Sequence, residues 1–239
     1  VFKSKILNTN LKFNFTYDKN SLNIYNSFFR SKNLSFKNNS SVTFDPFFYI
    51  NAIFYIEDIN IDVFEKVNVE KFLSSRNIIK KINLKSEINF EPQKFNRNFI
   101  DSLKINIDLA YGYLNYTKQI IISGSLFQCN GRINFFEEYP LLFFNCSIIS
   151  EDKKRLFNEF SVRVKNKNEN ESLNLKVQGN LSIVNKKINF KHIFLNENYI
   201  ATKEDLKFYK EVFEKKLFDE NFLKIFNLKK IKTFILEIS

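Results

Sequence analysis

Apolar side chains recur at every second residue through most of this chain, and that period belongs to a β-strand with one buried face. Leu11, Phe13, Phe15 and Tyr17 alternate with Lys12, Asn14 and Thr16. Leu22 and Ile24, Leu34 and Phe36, and Val42 and Phe44 continue the pattern. Between them lie Asp18-Lys19-Asn20-Ser21, Asn38-Asn39-Ser40-Ser41 and Asp45-Pro46, all rich in turn-forming residues. Residues 47–56 are apolar at nearly every position, as in a strand covered on both faces. The alternation returns at Ile82, Leu84, Ile88 and Phe90, and again at Ile105, Ile107, Leu109, Tyr111 and Tyr113. Further strands are predicted over 119–123, 126–129, 133–136, 141–149, 160–165, 173–184 and 187–194. With only 4 Gly and 3 Pro, the turns must be built largely from Asn and Asp.

Helical spacing is confined to three places. Val63, Val67, Phe72, Ile78 and Ile79 suggest a helix within 61–82, and 151–157 offers one helical turn. The third is better defined: Thr202-Lys203-Glu204-Asp205 resembles a capping box, and Leu206, Tyr209, Phe213 and Leu217 follow in steps of three and four. A helical segment over 202–226 is expected, followed by a last strand through Ile231, Phe234, Leu236 and Ile238. The whole predicts a mainly β fold, a long antiparallel curved sheet closed by a C-terminal helix and a final strand. A groove, an open barrel and a sandwich all fit the strand spacing of roughly ten residues. Residues 1–239 are expected to form a single body, and the chain, which opens mid-pattern without Met, is expected to be a fragment of a longer protein.

Chemistry is hard to place on these residues. The sole histidine, His192, shares strand parity with Ile188, Phe190 and Phe194 and is expected to be packed among them. One histidine and two cysteines outside any C-x-x-C pair give no zinc site. The isolated glycines Gly112, Gly124, Gly131 and Gly179 form no phosphate loop and are expected at bulges or close backbone approaches. The carboxylate pairs Glu57-Asp58, Glu137-Glu138 and Glu151-Asp152 are adjacent residues, expected in solvated turns. No catalytic, cofactor-binding or metal-binding residues are therefore assigned, and the chain is not expected to be an enzyme. The net charge of +11 comes from scattered lysines rather than a stripe, so nucleic acid is not expected as a partner. Much of the Asn, Lys, Ile and Phe content follows from AT-rich codons. Cys129 and Cys146 sit on neighbouring strands; a disulfide is open to them, although two buried thiols are preferred.

The strands Val177-Gln178-Gly179-Asn180-Leu181-Ser182-Ile183 and Lys187-Ile188-Asn189-Phe190 are followed by Tyr199-Ile200-Ala201-Thr202-Lys203-Glu204-Asp205 and by Lys230-Ile231-Lys232-Thr233-Phe234-Ile235. This succession is similar to the C-terminal end of AsmA-like proteins of alphaproteobacteria, relatives of TamB and YhdP. It covers about the last seventy residues and carries no catalytic signature. The resemblance implies a periplasmic β-groove, attached to the inner membrane through a segment not in this chain. It also implies a part in outer-membrane biogenesis or in phospholipid transport between membranes, with phospholipid and membrane as partners. The face carrying Leu11, Phe13, Phe15, Ile105, Ile107, Leu109, Leu173, Leu175 and Val177 would then meet lipid. The alternative is a β-sandwich binding or adhesion module in which that face is a closed, dry core.

Overall fold

The computed structural model describes residues 1–6, 9–59, 75–90, 100–160, 172–182, 184–196 and 199–217. They form one open, curved sheet of 14 strands. The strands are β1 (Phe2–Ile6), β2 (Thr9–Phe13), β3 (Phe15–Tyr17), β4 (Ser21–Arg30), β5 (Leu34–Thr43), β6 (Tyr49–Ile59) and β7 (Asn83–Phe90). They continue as β8 (Ser102–Ala110), β9 (Tyr113–Ile122), β10 (Ser125–Asn134), β11 (Leu141–Ser150), β12 (Leu173–Ser182), β13 (Lys187–Leu195) and β14 (Tyr199–Ile200). Three helices accompany them: α1 (Arg76–Ile79), α2 (Lys153–Glu159) and α3 (Lys203–Leu217).

Strand order follows sequence order, with β2 and β3 both pairing with β4. Every pairing among the described strands is antiparallel except one: β6 and β7 run parallel, in register from Tyr49–Asn83 to Ile56–Phe90. A parallel pair, unlike a hairpin, cannot be joined by a tight turn. The tight hairpins use left-handed residues, Tyr111-Gly112 between β8 and β9 and Ser123-Gly124 between β9 and β10, all with positive φ. That geometry matches the right-handed twist of the flanking strands.

Several sequence expectations change. Alternation through Ile105 to Tyr113 is not one strand, because the chain reverses at Tyr111-Gly112. The separate strands expected at 126–129 and 133–136 are one, since β10 runs unbroken past Gly131. Glu57 and Asp58 lie within β6, not in a turn, where Glu57 bridges Lys37 at 2.8 Å and Arg30 at 3.1 Å. Those two cations hold the Glu57 carboxyl below its ordinary value, the Lys37 hydrogen bond contributing most. Cys129 and Cys146 are joined in a disulfide, not left as thiols, because the register sets them directly opposite across β10 and β11. His192 is exposed: a bulge between Gln178 and Gly179 shifts its parity to the opposite face, where it stacks on Phe194 at 6.0 Å. In the region where a helix within 61–82 is expected, the described part holds only α1. Residues 80–82 are described and leave the helix, whereas residues 61–74, the strand residues 161–165, the helical residues 218–226 and the last strand lie outside the described residues.

The capping box forms as the sequence predicts. Thr202 N–H donates to Asp205 Oδ2 at 2.8 Å, and Asp205 N–H returns a bond to Thr202 Oγ1 at 3.2 Å. The Thr202 backbone, then Tyr199 and the Thr202 hydroxyl, hold the Asp205 carboxyl below its ordinary value. From this start α3 lies against β13, with Val212 buried and Phe213 edge-on to Phe190 at 5.8 Å between ring centres. Ile188, whose N–H points away from β12, donates to Glu214 Oε1 at 2.9 Å. The helix thus covers part of an edge that would otherwise be open to another strand.

Candidate functional site

The register assigns strand residues to one of two faces, and one face is largely apolar from β2 to β13, interrupted by Ser27 on β4, Asn38 and Ser40 on β5 and Ser86 on β7. Cross-strand partners line up in rows. One row runs Leu109, Leu114, Ile133, Leu142, Leu181, Ile188; the next runs Ile107, Tyr116, Gly131, Phe144, Gly179, Phe190. A third row runs Ile105, Lys118, Cys129, Cys146, Val177, Ile193, and a fourth Leu103, Ile120, Phe127, Ile148, Leu175, Leu195. The face continues through Leu84 and Ile88 of β7, and Ile50 and Phe54 of β6, to Phe36, Phe29 and Leu11. The other face carries Asn106, Thr117, Asn130, Asn145 and Gln178 in one row, with Asn106 bonded to Thr117 and Gln178 to Asn145.

Helices close the apolar face at both strand ends. At one end Ile79 of α1 and Phe213 of α3 pack with Leu109, Ile133, Phe135, Leu181 and Ile188. Phe135 is 0% exposed there. At the other end Leu156 of α2 packs with Ile122 and Leu173. Between these seals Ile105, Ile107, Tyr116, Lys118 and Val177 are half-buried, while Ile193 is 8% exposed.

The middle of the face has two unusual features. Gly131 and Gly179 leave room for aromatic rings from neighbouring strands: a methyl group on Gly131 would meet Tyr116 at 2.6 Å and the Phe143 carbonyl, and one on Gly179 would meet Phe144 at 2.8 Å. The rings therefore lie across the glycines and replace their missing side chains. Lys118 stands among apolar partners, flanked by Ile105 and Cys129. Burial pushes its ammonium group below its ordinary pKa and lifts the Tyr116 hydroxyl above its own.

All the residues expected to face lipid fall on this one face. Leu11 and Phe13 sit on β2, Phe15 on β3, Ile105, Ile107 and Leu109 on β8, and Leu173, Leu175 and Val177 on β12. They do not form one patch, because β4–β7 and β9–β11 lie between the groups. Nor are they equivalent. Leu109 and Leu173 are 6% and 7% exposed within the terminal seals and Leu175 packs against the second of them, whereas Ile105, Ile107 and Val177 lie half-buried between the two. Tyr116, Lys118, Phe144 and Phe190 belong to the same face; Lys118 alone carried no apolar signal that would have placed it there. Comparison with family models, with curated proteins and with solved structures returns no match.

Proposed function

We propose that this chain is a non-catalytic β-groove protein of the cell envelope that holds phospholipid acyl chains against its apolar face. In this reading it serves outer-membrane biogenesis or the movement of phospholipid between membranes, as its resemblance to AsmA-like proteins implies. One observation carries the proposal: the described strands form a single layer whose largely apolar face runs across β2 to β13, with Ile105, Ile107 and Val177 half-buried between two helical seals. The alternative, a sandwich with a dry core, needs a second sheet to cover that face, and all described strands belong to one. The row of Asn106, Thr117, Asn130, Asn145 and Gln178 on the other face suits water. The Cys129–Cys146 disulfide fits an oxidising compartment such as the periplasm, with the chain held at the inner membrane.

The mid-face residues Ile105, Ile107 and Val177 would touch acyl chains, while Leu109 and Leu173 would seal the ends. Native mass spectrometry of the purified protein tests this. Phospholipid should remain bound after gentle desolvation, and Ile107→Asp together with Val177→Asp should release it. A lipid-free monomer that also fails to take up lipid from micelles would overturn the proposal.

A further inference from the structure

The two ends of the strands are built differently. At one end lie the β3–β4, β5–β6, β8–β9, β10–β11 and β12–β13 turns, brought together by the register. Hydrogen bonds tie them to one another: Phe44 N–H to Asn20 O at 2.8 Å, Tyr111 N–H to Asn83 Oδ1 at 3.1 Å, and Phe135 N–H to Gly112 O at 2.9 Å. This rim is aromatic. Tyr17, Phe47 and Tyr111 are 69%, 62% and 62% exposed, and Phe136 and Tyr139 are more than half exposed beside them. Lys80 lies over the Phe136 ring at 5.0 Å. Among the described residues the opposite rim lacks such rings. Gly124 N–H bonds to Asp101, Ser123 to Glu159, Arg155 to Ser123, and Asn174 N–H to Asn196, and among the described residues no exposed aromatic ring stands in those turns.

We infer that the aromatic rim docks on the surface of a bilayer containing anionic lipid. Exposed tyrosine and phenylalanine rings have an apolar body and, in tyrosine, a wet tip, the combination that settles at the level of lipid headgroups. Water offers such rings no compensation, so their grouping on one rim marks a contact surface. Charge supports this partner. The chain carries +11, which draws it toward an anionic surface, and Lys19, Lys81 and Lys187 are exposed among the rings. Asp18, Asp45, Glu137 and Glu138 are exposed there too, so local charge is mixed, the attraction to an anionic surface comes from the chain as a whole, and the rings must supply the grip. The rim also leads onto the apolar face, since Tyr17 is paired with Leu22, and Leu22 with Val42, at the edge of that face. The choice of lipid as partner rests in part on the groove reading. Docked in this way, the apolar face opens at the bilayer surface, where an acyl chain could pass to it.

The chain contains no Trp, so a single introduced Trp reports its own surroundings. Phe47→Trp marks the aromatic rim and Ile149→Trp the opposite end of the sheet. Each is mixed with vesicles of phosphatidylcholine and phosphatidylglycerol, with and without brominated acyl chains. Phe47→Trp emission should shift to the blue and be quenched by bromine, and Ile149→Trp should do neither. Replacing Phe47 and Phe136 together by Ser should lower vesicle partitioning about tenfold or more, from the transfer energy of two rings. Absence of quenching in the Phe47→Trp variant, equal quenching in both variants, or dimerisation through the rim in place of vesicle binding would each overturn the inference. Quenching of Phe47→Trp in a protein that carries no lipid in native mass spectrometry would uphold the rim and defeat the groove. Bound lipid without quenching would do the reverse.

Discussion

Leu109 and Ile107 lie two residues apart on β8 and on the same face, yet they should respond very differently to truncation. Leu109 is 6% exposed and packs in the seal with Ile79 and Phe135, so Leu109→Ala leaves a cavity that its neighbours cannot fill. A substitution of this kind costs about 2–5 kcal/mol. Ile107 is half-buried, between Ser86 and Tyr116. Part of its side chain already meets water, and no closed void would form, so Ile107→Ala should cost on the order of 1 kcal/mol at about 25 cal/mol per Å². With a urea slope of about 2 kcal/mol per molar, the unfolding midpoint should fall by at least about 1 M for Leu109→Ala and by about 0.5 M for Ile107→Ala. Urea titration followed by circular dichroism measures both. Equal shifts would mean that the middle of the face is as tightly covered as its ends, and the groove would have to give way to a closed core.

Other outcomes follow from the same geometry. Gly131→Ala should destabilise more than Gly124→Ala, because its methyl meets Tyr116 and the Phe143 carbonyl while nothing lies within 4 Å at Gly124, where only the positive φ opposes a side chain; thermal melts of the two variants decide it. Replacing Cys129 and Cys146 together by Ser should cost about 2–4 kcal/mol for a loop of this size, the residues being 17 apart, and an unchanged melt would show that the disulfide adds nothing. The carboxyls of Glu57 and Asp205 titrate below their ordinary values, so their contribution is complete above the unfolded-state pKa and is lost as pH falls through the lowered folded values. Stability should therefore fall on acidification below about pH 4.5, and Glu57→Gln should flatten that fall without shifting the neutral-pH melt upward. Glu214→Ala should unbond the Ile188 N–H and loosen α3, seen as faster hydrogen exchange at Ile188.

The sheet was legible because its signal repeats. Leu11, Ile107 and Val177 each announce a face by parity, and the cap at Thr202 depends on a few neighbouring residues. What escaped depends on distant partners. The tyrosine at 111 continues the alternation of β8, but Tyr111-Gly112 turns because its φ values favour a hairpin that parity cannot see. His192 changes face because of a bulge opposite Gly179, and Gly131 keeps β10 whole because Tyr116 fills the space beside it. The parallel pairing of β6 with β7 leaves no trace in alternation, since it concerns direction and not face. The apolar face itself was readable. Its division into sealed ends and an open middle was not, because the seals come from α1, α2 and α3 folding back onto strands far along the chain.

The single parallel pairing has a consequence for how the molecule comes into being. On either side of it, each strand meets a neighbour made only moments earlier, and pairing of that local kind forms quickly. Strands β1–β6 and β7–β13 can therefore assemble as two separate leaves. Their junction must wait, because a parallel pair is not closed by a local turn. Pulse-labelled hydrogen exchange during refolding should show amides paired within each leaf protected first and those paired between β6 and β7 last. A chain emerging end first from a ribosome or a membrane pore would thus complete its first leaf alone, and that leaf's last strand would stand for a time as a bare edge.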